Sequence, residues 1–90
     1  MLDVKFTNLF KKDYKLIQKR GLKIDKLHEV INTLRQQEPL PAKNRDHALT
    51  GNYLGFRECH VEPDWLLIYQ IKDDELILLL SRTGSHSDLF

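Results

Sequence analysis

The sequence predicts an α+β fold: an N-terminal strand, a helical hairpin, then an antiparallel β-meander, so that two helices pack on one sheet. Three observations carry this. Apolar residues alternate at the start of the chain, recur every three or four positions through its first half, and form three dense runs with short polar breaks in its second half. Ninety residues support one domain with one core, spanning residues 1–90.

Taken in order, Leu2, Val4 and Phe6 alternate with Asp3 and Lys5, the pattern of a half-buried strand over Leu2–Phe6. Thr7 or Asn8 can cap the helix that follows. Phe10, Tyr14 and Ile17 form its apolar stripe, and Gly21 suits its end. Ile24, Leu27, Ile31 and Leu34 define a second helix from about Ile24 to Gln37, with Asp25 in its first turn. His28 on this helix reads as a solvated or capping side chain. Pro39 and Pro41 end the helix, and Ala42–Asp46 reads as a polar loop. Strands are expected over Tyr53–Val61, Trp65–Ile71 and Leu76–Arg82. Glu62-Pro63-Asp64 and Lys72-Asp73-Asp74-Glu75 connect them, and short connections imply antiparallel neighbours. Leu76–Leu80 is apolar throughout and reads as a central strand covered on both faces at least in part. Gly51 and Gly55 suggest bends.

Composition excludes some classes and points to others. No apolar stretch approaches the roughly 18–20 residues needed to cross a bilayer, so no membrane role is expected. The N-terminus lacks the pattern of a secretory signal. The single cysteine, Cys59, cannot pair within the chain and fits a reducing, cytoplasmic setting. The net charge of +1 hides a strong asymmetry: residues 1–45 carry 11 basic against 5 acidic residues, and residues 46–90 carry 3 against 8. Such a division points to one face that meets a polyanion, although a lysine-rich helical hairpin can also be merely solvated.

The polar residues of the second half converge. Asp64 lies in a hairpin turn, between His60 and Trp65. The last strand returns toward the start of the one before it, which brings Arg82, Gly84 and His86 toward Asp64 and His60, and His47 can join them. RNA cleavage through the ribose 2′-hydroxyl needs a base, an acid and a cation for the phosphorane. Histidine suits the first two and arginine the third. Trp65 or Phe90 can stack an unpaired base. Each residue alone has an ordinary reading: a solvated histidine, a turn aspartate, a core tryptophan, a frayed terminus, and Arg57 paired with Glu58 or Glu62. Three histidines could also ligate zinc with Asp64, but the His60–Asp64 spacing contains Pro63 and sits on a turn rather than a helix. Cys59 should face away from His60. No metal and no cofactor is expected.

The segments His47-Ala48-Leu49-Thr50-Gly51, Gly55-Phe56-Arg57, His60–Tyr69 and Arg82-Thr83-Gly84-x-His86-x-x-Leu89-Phe90 resemble the YafQ toxins, within the RelE/ParE superfamily of bacterial toxin–antitoxin systems. The resemblance covers essentially the whole chain. It implies a ribosome-dependent endoribonuclease, an mRNA interferase that cuts the messenger in the ribosomal A site and stops translation. It places the catalytic set on His47, His60, Asp64 and His86, with Arg82 as phosphate stabiliser, Phe90 as the terminal aromatic near the site and Trp65 beside Asp64. His86 is one proton-transfer partner on this reading, with Asp64 and His60 forming or tuning the other. Lys11, Lys12, Lys15, Lys19, Arg20, Lys23 and Lys26 would grip ribosomal RNA phosphates. The implied partner is an antitoxin of the RelB/DinJ type, through which alone the protein would reach operator DNA. Superfamily relatives that poison gyrase, and a non-catalytic RNA- or protein-binding module, are the competing readings; neither requires the histidine cluster.

Overall fold

The computed structural model describes residues 1–90. Strand β1 (Asp3–Phe6) leads into helix α1 (Asn8–Lys19), whose N-cap Thr7 accepts the Phe10 amide with its side chain. Helix α2 (Ile24–Arg35) follows and stops at Arg35, short of the expected Gln37, because Gln37 itself adopts the left-handed conformation (φ 59°). His28 is not merely solvated: its Nε2 lies 2.9 Å from the Tyr14 hydroxyl and ties α2 to α1.

The meander comprises β2 (His47–Ala48), β3 (Arg57–Glu62), β4 (Trp65–Lys72) and β5 (Ile77–Gly84). Consecutive members pair antiparallel, as expected. β1 adds to the free side of β5 in parallel, giving a five-stranded mixed sheet of order β1-β5-β4-β3-β2. Two strand starts differ from expectation, and β3, β4 and β5 each run one or two residues past their expected ends. β3 begins at Arg57 rather than Tyr53, because Gly51 (φ 64°) and Gly55 (φ 95°) turn the chain and Gly51–Tyr53 forms a 3-10 turn. β5 begins at Ile77, since Leu76 sits left-handed and exposed at the hairpin end. The loop expected over Ala42–Asp46 holds a 3-10 turn at Ala42–Asn44. A final one-turn helix, α3 (His86–Leu89), is the element the hydropathy pattern does not announce.

Alternation along the strands divides the sheet into two faces. Cys59, Val61, Trp65, Leu67, Tyr69, Leu78 and Leu80 join Phe10, Ile17, Leu27, Val30 and Leu34 of the helices in the main core. Leu66 and Ile68 point to the opposite face. There they meet Leu89 of α3, with Leu49, Tyr53 and Phe56 around them. α1 also closes an edge. β1 covers β5 only from Ile77 to Leu80. Beyond it, the Thr7 hydroxyl donates to the Ser81 carbonyl (2.7 Å) and Asp13 accepts the Thr83 amide (3.2 Å). Buried backbone groups of the edge thereby find partners.

Candidate active site

Glu58 and His60 alternate with Cys59 and Val61, so both stand on the face away from the helices, beside Leu66 and Ile68. Asn44, buried, donates to the His60 carbonyl at 2.7 Å and holds the end of β3. β3 and β4 slip register between His60 and Glu62, and Asp64 sits in the turn that follows. Ser85 caps α3 by a capping box with Asp88, which sets His86 on the first turn facing Asp64.

His86 Nδ1 lies 3.1 Å from Asp64 Oδ1, and the His86 amide donates to the same oxygen at 3.3 Å. The His86 side chain, then its amide, hold the Asp64 carboxyl below its ordinary range. The ring centroids of His86 and His60 are 5.9 Å apart. Phe90 packs 6.4 Å from His86 and 5.8 Å from Tyr53. His47 does not join this group directly. Its Nε2 lies 3.5 Å from Glu58 Oε1, and His60 Nε2 approaches the same oxygen at 3.8 Å. The other ring nitrogens meet backbone carbonyls, His47 Nδ1 that of Arg45 (2.7 Å) and His60 Nδ1 that of Pro63 (3.1 Å). Each Nδ1 therefore donates, and each Nε2 is left for proton traffic. The site is two linked groups, His86–Asp64–Phe90 and His47–Glu58, with His60 common to both.

Arg82 is held apart from the histidines' immediate contacts. Its Nε and Nη2 donate to Asp13 at 2.7 and 3.1 Å. Asp13, and less strongly Tyr53, raise its pKa above the ordinary guanidinium value. Trp65 requires a correction. It is 3% exposed, and its indole donates to the Thr83 hydroxyl at 2.9 Å, so it belongs to the core and offers no face on which a base could stack. Its neighbour Asp64 lies in the turn before β4, outside the strand that buries Trp65. Arg57 pairs with Asp46 (3.3 Å), not with Glu58 or Glu62. Glu58 points to the opposite face, and Glu62 reaches Lys26 instead. Cys59 does face away from His60, and burial pushes its thiol up to about 12.

The basic residues fall into two groups. Lys11, Lys12, Lys15, Lys19 and Lys23 are exposed and in no ion pair, with Lys11 standing 6.0 Å over the Phe6 ring. Arg20 and Lys26 are already engaged, by Asp88 and Glu62 respectively. No group of three or more His, Cys, Asp or Glu side chains is arranged to hold a metal ion. No helix is long and apolar enough to cross a membrane.

Glu58, Tyr53, Asp13 and Asp88 are the site residues that sequence reasoning passed over. For Glu58 a signal existed: Glu58-x-His60 on one strand puts both on one face. Asp88 also announced itself, as the fourth residue of Ser85-x-x-Asp88. Asp13 and Tyr53 meet Arg82 only through long-range packing.

A family model described as the bacterial toxin of type II toxin–antitoxin systems, YafQ, matches residues 2–90. The mRNA interferase toxin YafQ of Escherichia coli (strain K12) is 43% identical over 98% of this chain and 95% of its own length. A metal-bound toxin from Helicobacter pylori superposes with a TM-score of 0.94 at 46% identity, covering 100% of both chains. E. coli YafQ in its complex with DinJ superposes with a TM-score of 0.90 at 42% identity, covering 100% of this chain and 99% of that one. With a family model spanning nearly every residue and relatives of this identity, the chain belongs to the YafQ family of type II toxin–antitoxin toxins.

Proposed function

We propose that the protein is an endoribonuclease, the toxin of a type II pair, that enters the ribosomal A site and cleaves mRNA there through the ribose 2′-hydroxyl, so halting translation. The observation that carries this is the group of His86, Asp64 and His60 beside Phe90 on the open face of the sheet. Activity on mRNA is the named property of the E. coli relative, and this chain retains a site suited to it.

The chemistry follows from the positions of the nitrogens. Asp64 anchors His86 by Nδ1, which leaves Nε2 as a proton-transfer atom. His60, anchored by the Pro63 carbonyl, is the second. One imidazole takes the 2′-hydroxyl proton, the oxygen attacks phosphorus, and the other protonates the departing 5′-oxygen. Both transfers run on side chains of this chain and call for no metal or cofactor. Arg82 stabilises the phosphorane. Its bonds to Asp13 use Nε and Nη2 and leave Nη1 for a phosphate oxygen; a donor of this kind contributes about 3–4 kcal/mol in measured cases. Phe90, 64% exposed, takes the stacking role expected of an aromatic here. His47 supports His60 through Glu58. Lys11, Lys12, Lys15, Lys19 and Lys23 meet ribosomal RNA phosphates, an interaction that weakens steeply with salt. A RelB/DinJ-type antitoxin is the partner in the cytoplasm, as the DinJ complex of the E. coli relative supports, and operator DNA is met only through it.

The test is a bacterial translation extract with a defined messenger, with RNA ends mapped by primer extension. Cuts within translated codons are expected from the wild-type chain, none without ribosomes and none with His86→Ala. Undiminished cutting by a folded His86→Ala variant removes His86 from catalysis. Intact RNA with inhibited DNA supercoiling replaces the nuclease by a gyrase poison.

A further inference from the structure

The helix that carries His86 is one turn long, and an isolated turn has no stability of its own. Its anchors are few. Leu89 is buried against Leu66 and Ile68, Asp64 meets both the His86 amide and its ring, Phe90 packs on Tyr53, and a further set of polar contacts converges on Asp88. The Arg20 fork reaches both Asp88 oxygens, Nη1 to Oδ2 at 2.5 Å and Nη2 to Oδ1 at 3.0 Å, from 68 residues earlier in the chain. Oδ2 also accepts the Ser85 amide at 2.9 Å. Arg20 first, and Ser85 after it, hold this carboxyl well below the usual carboxylate range. Gly84 leaves the space: a Cβ there would stand 2.9 Å from Asp88 Oδ2, and its φ of 155° is one that side-chain-bearing residues rarely adopt.

Arg20 caps the C-terminal end of α1, the helix that carries Lys11, Lys12, Lys15 and Lys19. Alone among these cations, it turns its charge to the active-site helix. Ion pairs at a surface ordinarily contribute little. A bidentate guanidinium–carboxylate pair has a fixed geometry, however, and the segment it holds is short enough to open locally at small cost.

We propose that Arg20 is a positioning residue that clamps α3 to the end of α1 and so sets His86 and Phe90 against Asp64 and His60. Its catalytic consequence rests on the nuclease reading, whereas the clamp does not. The fork replaces the role expected from sequence, in which Arg20 gripped an RNA phosphate.

Two measurements on the full chain test this. The first is amide hydrogen exchange in wild type, Arg20→Gln, Arg20→Lys and Asp88→Asn. The Leu89 and Phe90 amides, bonded to the Ser85 and His86 carbonyls, exchange faster in Arg20→Gln and Asp88→Asn, intermediately in Arg20→Lys, and the β4 amides keep wild-type rates. Unchanged exchange at Leu89 and Phe90 in Arg20→Gln refutes the clamp, whatever the protein does to RNA. The second measures cleavage against ribosome concentration and salt. Arg20→Gln lowers kcat by about tenfold or more, the cost of a slightly misplaced catalytic group, with KM and salt dependence near wild type. Lys12→Ala and Lys15→Ala raise KM and flatten the salt dependence. A raised KM with unchanged kcat in Arg20→Gln returns Arg20 to RNA docking and overturns the proposal. Absence of ribosome-dependent cleavage by wild type would sink the nuclease reading alone, and the exchange rates would still decide the clamp.

Discussion

The two faces of the central strands share a backbone and differ in almost everything else. On the helix side, Cys59, Val61, Trp65, Leu67 and Tyr69 are closed under α1 and α2. On the other side, Leu66 and Ile68 support a cover of one short helix and the Leu49–Phe56 segment, and the titratable residues stand around its rim. The closed face supplies rigidity, and the open face uses it. A site built on paired strands with a packed reverse side holds its geometry better than one built on loops alone.

Substitutions on the two faces should separate stability from chemistry. The largest effect belongs to the closed face. Trp65→Ala removes a buried ring and the indole N–H that the Thr83 hydroxyl accepts, and should cost about 3–5 kcal/mol in urea unfolding, a large share of the stability of so small a domain. Wild-type stability in that variant would show that the closed face is not the structural one. On the open face, His60→Gln should lower cleavage by about 10²–10⁴-fold, the usual contribution of a proton-transfer side chain, with the urea midpoint little changed. A comparable loss of stability would assign His60 to packing instead. Glu58→Gln tests the link between His47 and His60. Losing one charge-assisted contact predicts a fall of about ten- to a hundredfold in single-turnover cleavage.

The smallest effect is in acid. Asp64 and Asp88 have folded-state pKa values below the ordinary aspartate range, so the unfolded chain binds more protons as pH falls through that range. Their contribution to stability is complete above about pH 4 to 5 and declines as pH falls through the folded values. Asp88→Asn should flatten the dependence of the urea midpoint on pH between about 2 and 5 relative to wild type. An unaltered slope would mean that Asp88 carries none of the acid sensitivity.

Much of this was legible beforehand, for identifiable reasons. The strand–helix–helix–meander order follows from local periodicity, and antiparallel pairing follows from turns such as Glu62-Pro63-Asp64. The meeting of His86 with Asp64 could be inferred because two hairpins leave little choice of geometry. Gln37 and Leu76, by contrast, take left-handed conformations that their residue types do not signal, and they moved two element boundaries. Trp65 was misassigned since, as the first residue of β4, it takes the helix-side face while Leu66 next to it takes the other, strand neighbours pointing to opposite sides. Arg57 found Asp46 rather than its sequence neighbour Glu58 for the same reason.

By itself, the sequence determined which residue types face each side of each strand, because alternation is a local property of an extended backbone. It also determined that one half of the chain is basic and the other acidic. Only the tertiary structure decided who meets whom across long separations: β1 beside β5, Asp13 on Arg82, and Arg20 on Asp88. Such contacts depend on how helices dock on a sheet edge, and a linear pattern of hydropathy carries no information about the partner that a charged side chain finds there.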